Sequence, residues 1–252
     1  MTGHLAVVGL GPGDVAQQTP QAVAALAAAT DLVGYAPYLA RVPEAVGQIR
    51  HASDNREELD RARLALTLAA EGRRVAVVSS GDAGVFAMAS AVFEAMDRGE
   101  PAWRGLEVEV VPGISAMFAA AARIGAPLGH DFCAISLSDN LKPWDTVVHR
   151  LTAAASAGFV IALYNPRSHA RPWQLGAVFD LLRAILPGST AVVFATSVSQ
   201  PEERIDITTL TVAEPERADM RTLVIIGSAA TRSIERPNGR AKWLYSPRGV
   251  EA

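Results

Sequence analysis

The chain reads as an α/β protein, with parallel strands covered by helices on both faces and organised as two α/β domains. Three observations predict this. Short apolar runs alternate with longer stretches of helical periodicity, such as HLAVVG before AVAALAAA and RRVAVVSS before AVFEAM. Those runs are hydrophobic at nearly every position, as parallel strands buried on both faces are, rather than alternating like strands with one wet face. The pattern breaks at Pro112-Gly113 and restarts beyond it, so the domains are expected at residues 1–112 and 113–252.

Each element has its own signal. HLAVVGLG is a buried strand ending in a glycine loop. Thr19 is the expected N-cap of the next helix, with Pro20 at its first position, where a missing N–H does no harm. DLVGY is a second strand. Asp54 or Asn55 is placed to cap REELDRARLALTLAAEG, which Gly72 ends. RRVAVVSSGD is a strand running into a loop, AGVFAMASAVFEAMDRG a helix and LEVEVVPG the next strand. The second half offers helix ISAMFAAAARIG, strand FCAISL, loop SDNLKPW, helix DTVVHRLTAAASAG, strand FVIALYN, helix WQLGAVFDLLRAIL and strand TAVVFATS. ERIDITTLTV alternates apolar and polar as a half-exposed strand does, RTLVIIGS is buried, and KWLYS is a short edge strand. So many strands late in the chain predict a mixed second sheet.

Composition narrows the function. Of 252 residues, 50% are hydrophobic and 19% charged, which is globular and excludes a disordered chain. Cys133 is the only cysteine, so no intrachain disulfide forms. The start MTGHLAVVGLGPGD lacks the basic-then-apolar layout of a signal peptide, and no run of about 18 apolar residues exists. A cytoplasmic protein without a membrane span is expected, and no metal site. A net charge of −3 speaks against reading a phosphate backbone, so no nucleic-acid partner is expected. Residues 1–112 carry 9 basic and 14 acidic side chains, whereas 113–252 carry 14 and 12. All but two of the basic residues, Lys142 and Lys242, are arginines. Either this is compositional bias, or arginine forks in the second half grip carboxylates in bidentate fashion.

Three loops carry the chemistry. Gly9-Leu10-Gly11-Pro12-Gly13-Asp14 follows a strand, but Asp14 stands where a dinucleotide loop needs its third glycine, and Pro12 removes a backbone donor. A pyrophosphate fits such a loop poorly, and a zwitterionic or cationic ligand fits it better. Ser79-Ser80-Gly81-Asp82-Ala83-Gly84 also lies at a strand's C-terminal end, where parallel sheets place ligands; Asp82 there either caps the next helix or meets a ligand. Val111-Pro112-Gly113-Ile114-Ser115-Ala116 is the third strand–turn–helix junction.

The ordered set GLGPGD, SSGDAG and VPGISA resembles the tetrapyrrole methylase family, along nearly the whole chain from Leu5 to Pro247-Arg248-Gly249. HDFCAISLSDNLKPW (130–144), ALYNPRS (162–168) and MRTLVIIG (220–227) are similar to its precorrin-3B C-17 branch. The resemblance implies a class III S-adenosylmethionine methyltransferase: two α/β domains, the active site in the cleft between them, and a homodimer. It implies cofactor contacts at Pro12, Ser80, Gly81, Asp82, Val85, Ser115, Ala116, Tyr164, Asn165 and Thr222. One segment departs: Ala195-Thr196-Ser197-Val198-Ser199-Gln200 stands where an RNxGR-like loop is expected, so contacts from Thr196 and Ser197 rest on their backbones.

The implied reaction is methylation of precorrin-3B at C-17, with ring contraction to precorrin-4, in cobalamin biosynthesis. A cobalt-containing substrate (cobalt-factor III) and a non-catalytic tetrapyrrole-binding module are the alternatives. S-Adenosylmethionine is the co-substrate, and the macrocycle supplies the attacking carbon, so the protein's work is positioning and proton transfer. Proton-transfer candidates are His130, Ser138 and Asp139, with Asp131 and Ser136 in the same segment. Trp144 is either core or a stacking face. The substrate is a polyanion, for which Arg167 and Arg171 are the leading receptors, with Arg123, Arg204 and Arg232 as further candidates.

Overall fold

A computed structural model describes residues 3–54 and 57–249. The chain divides after Ala116 into two compact units, shortly past the Pro112-Gly113 break.

The first unit holds β1 (His4–Gly9), α1 (Pro20–Ala28), β2 (Asp31–Tyr35), α2 (Ala36–Leu39), β3 (Ile49–Ser53), α3 (Glu58–Ala70), β4 (Arg74–Ser79), α4 (Met88–Arg98) and β5 (Glu107–Val111). Its five strands are all parallel in the order β3-β2-β4-β1-β5. Because side chains alternate along a strand, successive residues of one apolar run feed two cores. Leu5, Val7, Val75 and Val77 pack with Leu66 and Ala69 of α3 and Val92 of α4. Ala6, Val8, Ala76 and Val78 pack on the other face with Ala22 and Leu26 of α1 and with Leu39. Thr19 Oγ1 accepts from Ala22 N at 3.1 Å and caps α1 as expected.

The second unit carries α5 (Ala116–Ile124), β6 (Gly125–Ala126), β7 (Phe132–Ser136), α6 (Trp144–Ser156), β8 (Val160–Tyr164), α7 (Gln174–Arg183), β9 (Ala191–Thr196), β10 (Arg204–Thr209), β11 (Thr222–Ile226), β12 (Arg232–Ile234) and β13 (Trp243–Tyr245). Its main sheet is mixed, ordered β10-β9-β11-β8-β7, with β7 and β8 parallel and β11 antiparallel to both β8 and β9. One face is sealed by Val147 and Leu151 of α6 and by Leu175, Val178, Phe179 and Leu182 of α7. A second, three-stranded sheet runs β12-β13-β6.

Four expectations change. β3, IRHAS, is a strand that its polar composition hides; it lies at the sheet edge, where Arg50 and His51 can stay partly wet. The helix expected from Ala83 starts at Met88, because Phe86 adopts φ +52° and breaks the turn. Asp54 does not cap α3; its own N–H donates to the Glu57 carboxylate at 3.2 Å, and Glu57 occupies the cap position, while Asn55 lies outside the described residues. The KWLYS strand, expected at an edge, is the central strand of the small sheet.

Candidate functional site

Parallel strands point their C-terminal ends the same way, so one edge of the first sheet gathers the loops after β1, β4 and β5, which are neighbours in the order β4-β1-β5. The three loops are joined to one another. Gly11 and Gly81 exchange both backbone hydrogen bonds, at 3.0 and 2.9 Å. Gly81 takes φ +67°, a conformation glycine adopts without strain. Gly113 sits so close that an added Cβ would lie 2.3 Å from Gly81 O and 2.8 Å from Gly9 O.

Asp82 clasps the second loop to the third. Oδ1 accepts from Gly84 N at 2.8 Å and Oδ2 from Gly113 N at 3.0 Å. It does not cap α4; Ser79 Oγ instead accepts from Met88 N at 3.1 Å. Each carboxylate oxygen retains a second acceptor position, so the clasp still offers negative charge at a half-exposed site. Pro12, Gly81 and Ser115 are buried, while Ser80, Val85 and Ala116 are partly exposed on the same three loops. Asp14 Oδ1 accepts from Ala16 N and caps a short 3-10 turn.

The second sheet gathers its own set. β8 and β9 run in the same direction as β7, and β10 and β11 run opposite, so Ser136, Tyr164, Thr196, Arg204 and Thr222 share one edge. Asn165, just past β8, adopts φ +51°, donates from Nδ2 to Ser136 Oγ at 3.0 Å and lends its carbonyl to Arg171. The Tyr164 hydroxyl accepts from Met117 N at 3.3 Å. Thr222 is buried; its Oγ1 accepts from Asp219 N and lies 2.9 Å from Asp219 Oδ1 and 2.9 Å from Thr196 Oγ1, and its N–H donates to Asp219 O at 3.2 Å.

The proton-transfer candidates separate. His130 precedes β7 and Asp139 follows it, and five strand residues at about 3.3 Å each put the two at opposite ends of the strand. His130 Nδ1 accepts from Asp131 N at 2.7 Å. His130 therefore cannot act with Asp139 on one substrate atom. Ser138 and Asp139 lie beside the populated edge, where Asp139 Oδ2 accepts from Gln174 Nε2 at 3.2 Å and the Ser138 N–H donates to Ser136 Oγ at 3.3 Å. Two neighbours escaped the sequence reading. Gln174 is buried and orients Asp139. Lys142, one of the two lysines, donates to Ser136 O at 2.7 Å, and burial, aided by Arg150, holds its ammonium below the usual lysine range. The scarcity of lysine was the available signal. Trp144 packs partly buried against the core and meets Trp173 edge-on at 4.9 Å.

The arginines do not form one clamp. Arg123 pairs with Glu203 at 3.0 Å and Arg204 lies 3.5 Å from Asp206. Arg232 is on the small sheet. Arg171 is buried, and its Nη1 donates to Asn165 O at 3.0 Å and Leu137 O at 3.4 Å. Arg167 is partly exposed, with one 3.4 Å contact from Nε to Pro172 O.

Comparison with known proteins agrees with this architecture. The sequence model for Tetrapyrrole (Corrin/Porphyrin) Methylases matches residues 4–214. A precorrin-3B C(17)-methyltransferase of Sinorhizobium sp is 59% identical over 248 residues, covering 98% of this chain and 97% of that protein. A probable cobalt-factor III C(17)-methyltransferase of Salmonella typhimurium is 42% identical over 90% of this chain and 93% of its own length. Among solved structures, the methyltransferase CobJ superposes with a TM-score of 0.92 at 53% identity, covering 97% of this chain and all of that one. With a family match over most of the chain and relatives of this identity at nearly full length, the chain belongs to the tetrapyrrole (corrin/porphyrin) methylase family.

Proposed function

We propose that this protein transfers a methyl group from S-adenosylmethionine to C-17 of precorrin-3B, with contraction of the ring, in cobalamin biosynthesis. The observation that carries the reading is the 59% identity, over 98% of the chain, to a precorrin-3B C(17)-methyltransferase. The loop cluster fits a small zwitterionic cofactor: glycine backbones approach closely, a carboxylate is held ready at Asp82, and Asp14 with Pro12 disfavours a pyrophosphate. In the first unit, Pro12, Ser80, Gly81, Asp82, Val85, Ser115 and Ala116 would hold it. In the second, Tyr164, Asn165 and Thr222 would. When bound, S-adenosylmethionine supplies an electrophilic methyl group, which the carbon of the macrocycle attacks.

The chain's own task is then to hold, orient and exclude water, and to move protons. Asp139, oriented by Gln174, is the proposed proton carrier, with Ser138 beside it. Arg167 is the arginine proposed to receive a substrate carboxylate. No helix among the described residues is long and apolar enough to cross a membrane. A homodimer is proposed from the family resemblance, and a single-subunit mass in solution at micromolar concentration refutes it.

The deciding experiment is anaerobic incubation with precorrin-3B and isotopically labelled S-adenosylmethionine, followed by mass analysis. The expected product gains one labelled methyl group. Turnover of the cobalt-containing substrate in preference to precorrin-3B establishes the second reading, which the 42% relative supports. Binding of tetrapyrrole without methyl transfer refutes both.

A further inference from the structure

Arg41 lies just beyond α2, outside the three glycine loops, yet it holds two of them. Its Nη2 donates to Gly11 O at 2.8 Å and to Leu10 O at 3.2 Å, and its Nη1 donates to Ser80 Oγ at 3.0 Å. All of its partners are neutral, and among the described residues no carboxylate pairs with it. A half-buried guanidinium without a counter-ion is costly, and burial already holds its ionisation below the ordinary arginine range. Among the described residues of this unit, Arg50, Arg61, Arg74 and Arg104 also lack a carboxylate, but Arg74 sits at the start of β4, far from its C-terminal loop, and Arg104 donates to Asp97 O. Arg61 is 5% exposed and spends its donors on Ser53 Oγ, Met88 Sδ and Asp54 O, so it is sealed. Arg50 donates to Leu39, Val42 and Pro43 carbonyls and closes the turn after α2. Only Arg41 brings its charge to the glycine loops.

The bond to Ser80 has a chemical consequence. Because Nη1 donates to Oγ, the hydroxyl proton of Ser80 is left for another acceptor, and none of the described residues takes it. The neighbouring positive charge strengthens that donor, and Ser80 is partly exposed on the edge that carries all three loops. A guanidinium and a polarised hydroxyl side by side select an anionic oxygen.

We infer that Arg41 and Ser80 form a carboxylate-recognition element, in which Ser80 donates to a ligand carboxylate and Arg41 sets its proton direction and supplies the compensating charge. The inference rests on the proposed function, which offers two sources of that carboxylate: the amino-acid end of the cofactor, or an acetate or propionate arm of the tetrapyrrole. Arg41 is on this view a positioning residue.

Two variants, Arg41→Ala and Ser80→Ala, test it. Calorimetry measures binding of S-adenosylhomocysteine and of its decarboxylated analogue, and steady-state assays give KM for the tetrapyrrole. If the cofactor is the source, both variants weaken S-adenosylhomocysteine about ten- to a hundredfold and leave the decarboxylated analogue within about twofold. If the substrate is the source, neither nucleoside changes and KM for the tetrapyrrole rises about tenfold or more. Parallel loss of both nucleosides means that Arg41 merely braces loops, and that overturns the inference, as does the absence of any change. Ser80→Ala leaves the Arg41 contacts to Leu10 and Gly11 in place, so it carries the test if Arg41→Ala does not fold. A parent protein that binds no S-adenosylhomocysteine refutes the proposed function itself; a parent that binds it, with parallel loss in the variants, refutes only this inference.

Discussion

Replacing Asp82 by alanine removes both bonds of the clasp between the second and third loops. The lost contacts are backbone donors to a carboxylate at 2.8 Å from Gly84 and 3.0 Å from Gly113. Bonds of this charge-assisted kind contribute roughly 1.5–3 kcal/mol each when protected from water. Gly84 is exposed, so water replaces its partner and little is lost there. Gly113 N is partly buried, and its loss sets the effect, at about 2 kcal/mol for Asp82→Ala. Asp82→Asn keeps one acceptor but turns an amide donor towards the other N–H, so it falls between alanine and the parent. In urea, with an m-value of about 2 kcal/mol/M, the alanine variant's midpoint drops by roughly 1 M. S-Adenosylhomocysteine binding should weaken in the same order, because the released third loop must be re-ordered by the ligand. An unchanged midpoint in Asp82→Ala refutes the clasp. A lowered midpoint with unchanged ligand affinity refutes the role of the third loop in binding.

Three further perturbations follow from the geometry. Gly113→Ala should abolish S-adenosylhomocysteine binding or folding, because its Cβ would meet Gly81 O at 2.3 Å, whereas Gly84→Ala, whose Cβ meets only Asp82 Oδ1 at 3.3 Å, should be tolerated; equal behaviour of the two in a melting assay contradicts the close-approach argument. His130→Ala should leave kcat within about twofold while Asp139→Asn lowers it by roughly a hundredfold or more, and the reverse order assigns the proton transfer to the other end of β7. The buried Asp31 binds His51 Nε2 at 2.8 Å, Arg73 Nε at 2.7 Å and Thr30 Oγ1 at 2.7 Å. Burial alone raises its carboxyl, but hydrogen bonds from His51, Thr30 and Arg73, with the Arg73 charge, outweigh burial and hold it below the ordinary aspartate range. A carboxylate held low contributes stability above its unfolded pKa and loses it as pH falls through the folded one. Urea midpoints measured downward from about pH 6 should therefore fall less steeply in Asp31→Asn than in the parent, and identical slopes refute the linkage.

What the sequence revealed, and what it withheld, follows from the range of each interaction. Leu5, Val7, Ala6 and Val8 announce a strand buried on both faces because period two is a local property, and Thr19-Pro20 announces a helix start for the same reason. β3 stayed hidden because pairing of Arg50 and His51 with β2 is decided by the edge of a sheet assembled from distant residues. Phe86 and Ala87 look helical as letters, and only the local φ of +52° shows that the helix waits until Met88. The loops were legible as loops, but their partners were not. Nothing in SSGDAG says that Asp82 reaches Gly113, 31 residues on, or that Arg41 reaches Ser80 across 39. The arginine surplus misled for a related reason. A count by halves points to the second, yet Arg123, Arg183, Arg204 and Arg221 there have acidic neighbours, while Arg41 in the acidic half has none. Net charge adds up residues irrespective of who is adjacent to whom.

The loops' attachment to one another bears on the kind of catalysis this fold can perform. Methyl transfer to an electron-rich carbon demands little acid–base strength and much alignment, because an in-line displacement fails with small misplacement of the reacting atoms. A ligand that must order three separate loops loses affinity to their entropy. Here the Gly11–Gly81 bridge, the Asp82 clasp and the Arg41 fork fix the loops through the protein's own hydrogen bonds before any ligand arrives. Binding energy is then left for orienting the ligand rather than for building its site. On this argument, the most damaging substitutions should be those that unfasten loops without touching a ligand. Gly113→Ala is of that kind, and so is Asp82→Ala to the extent that its carboxylate serves the protein more than the cofactor.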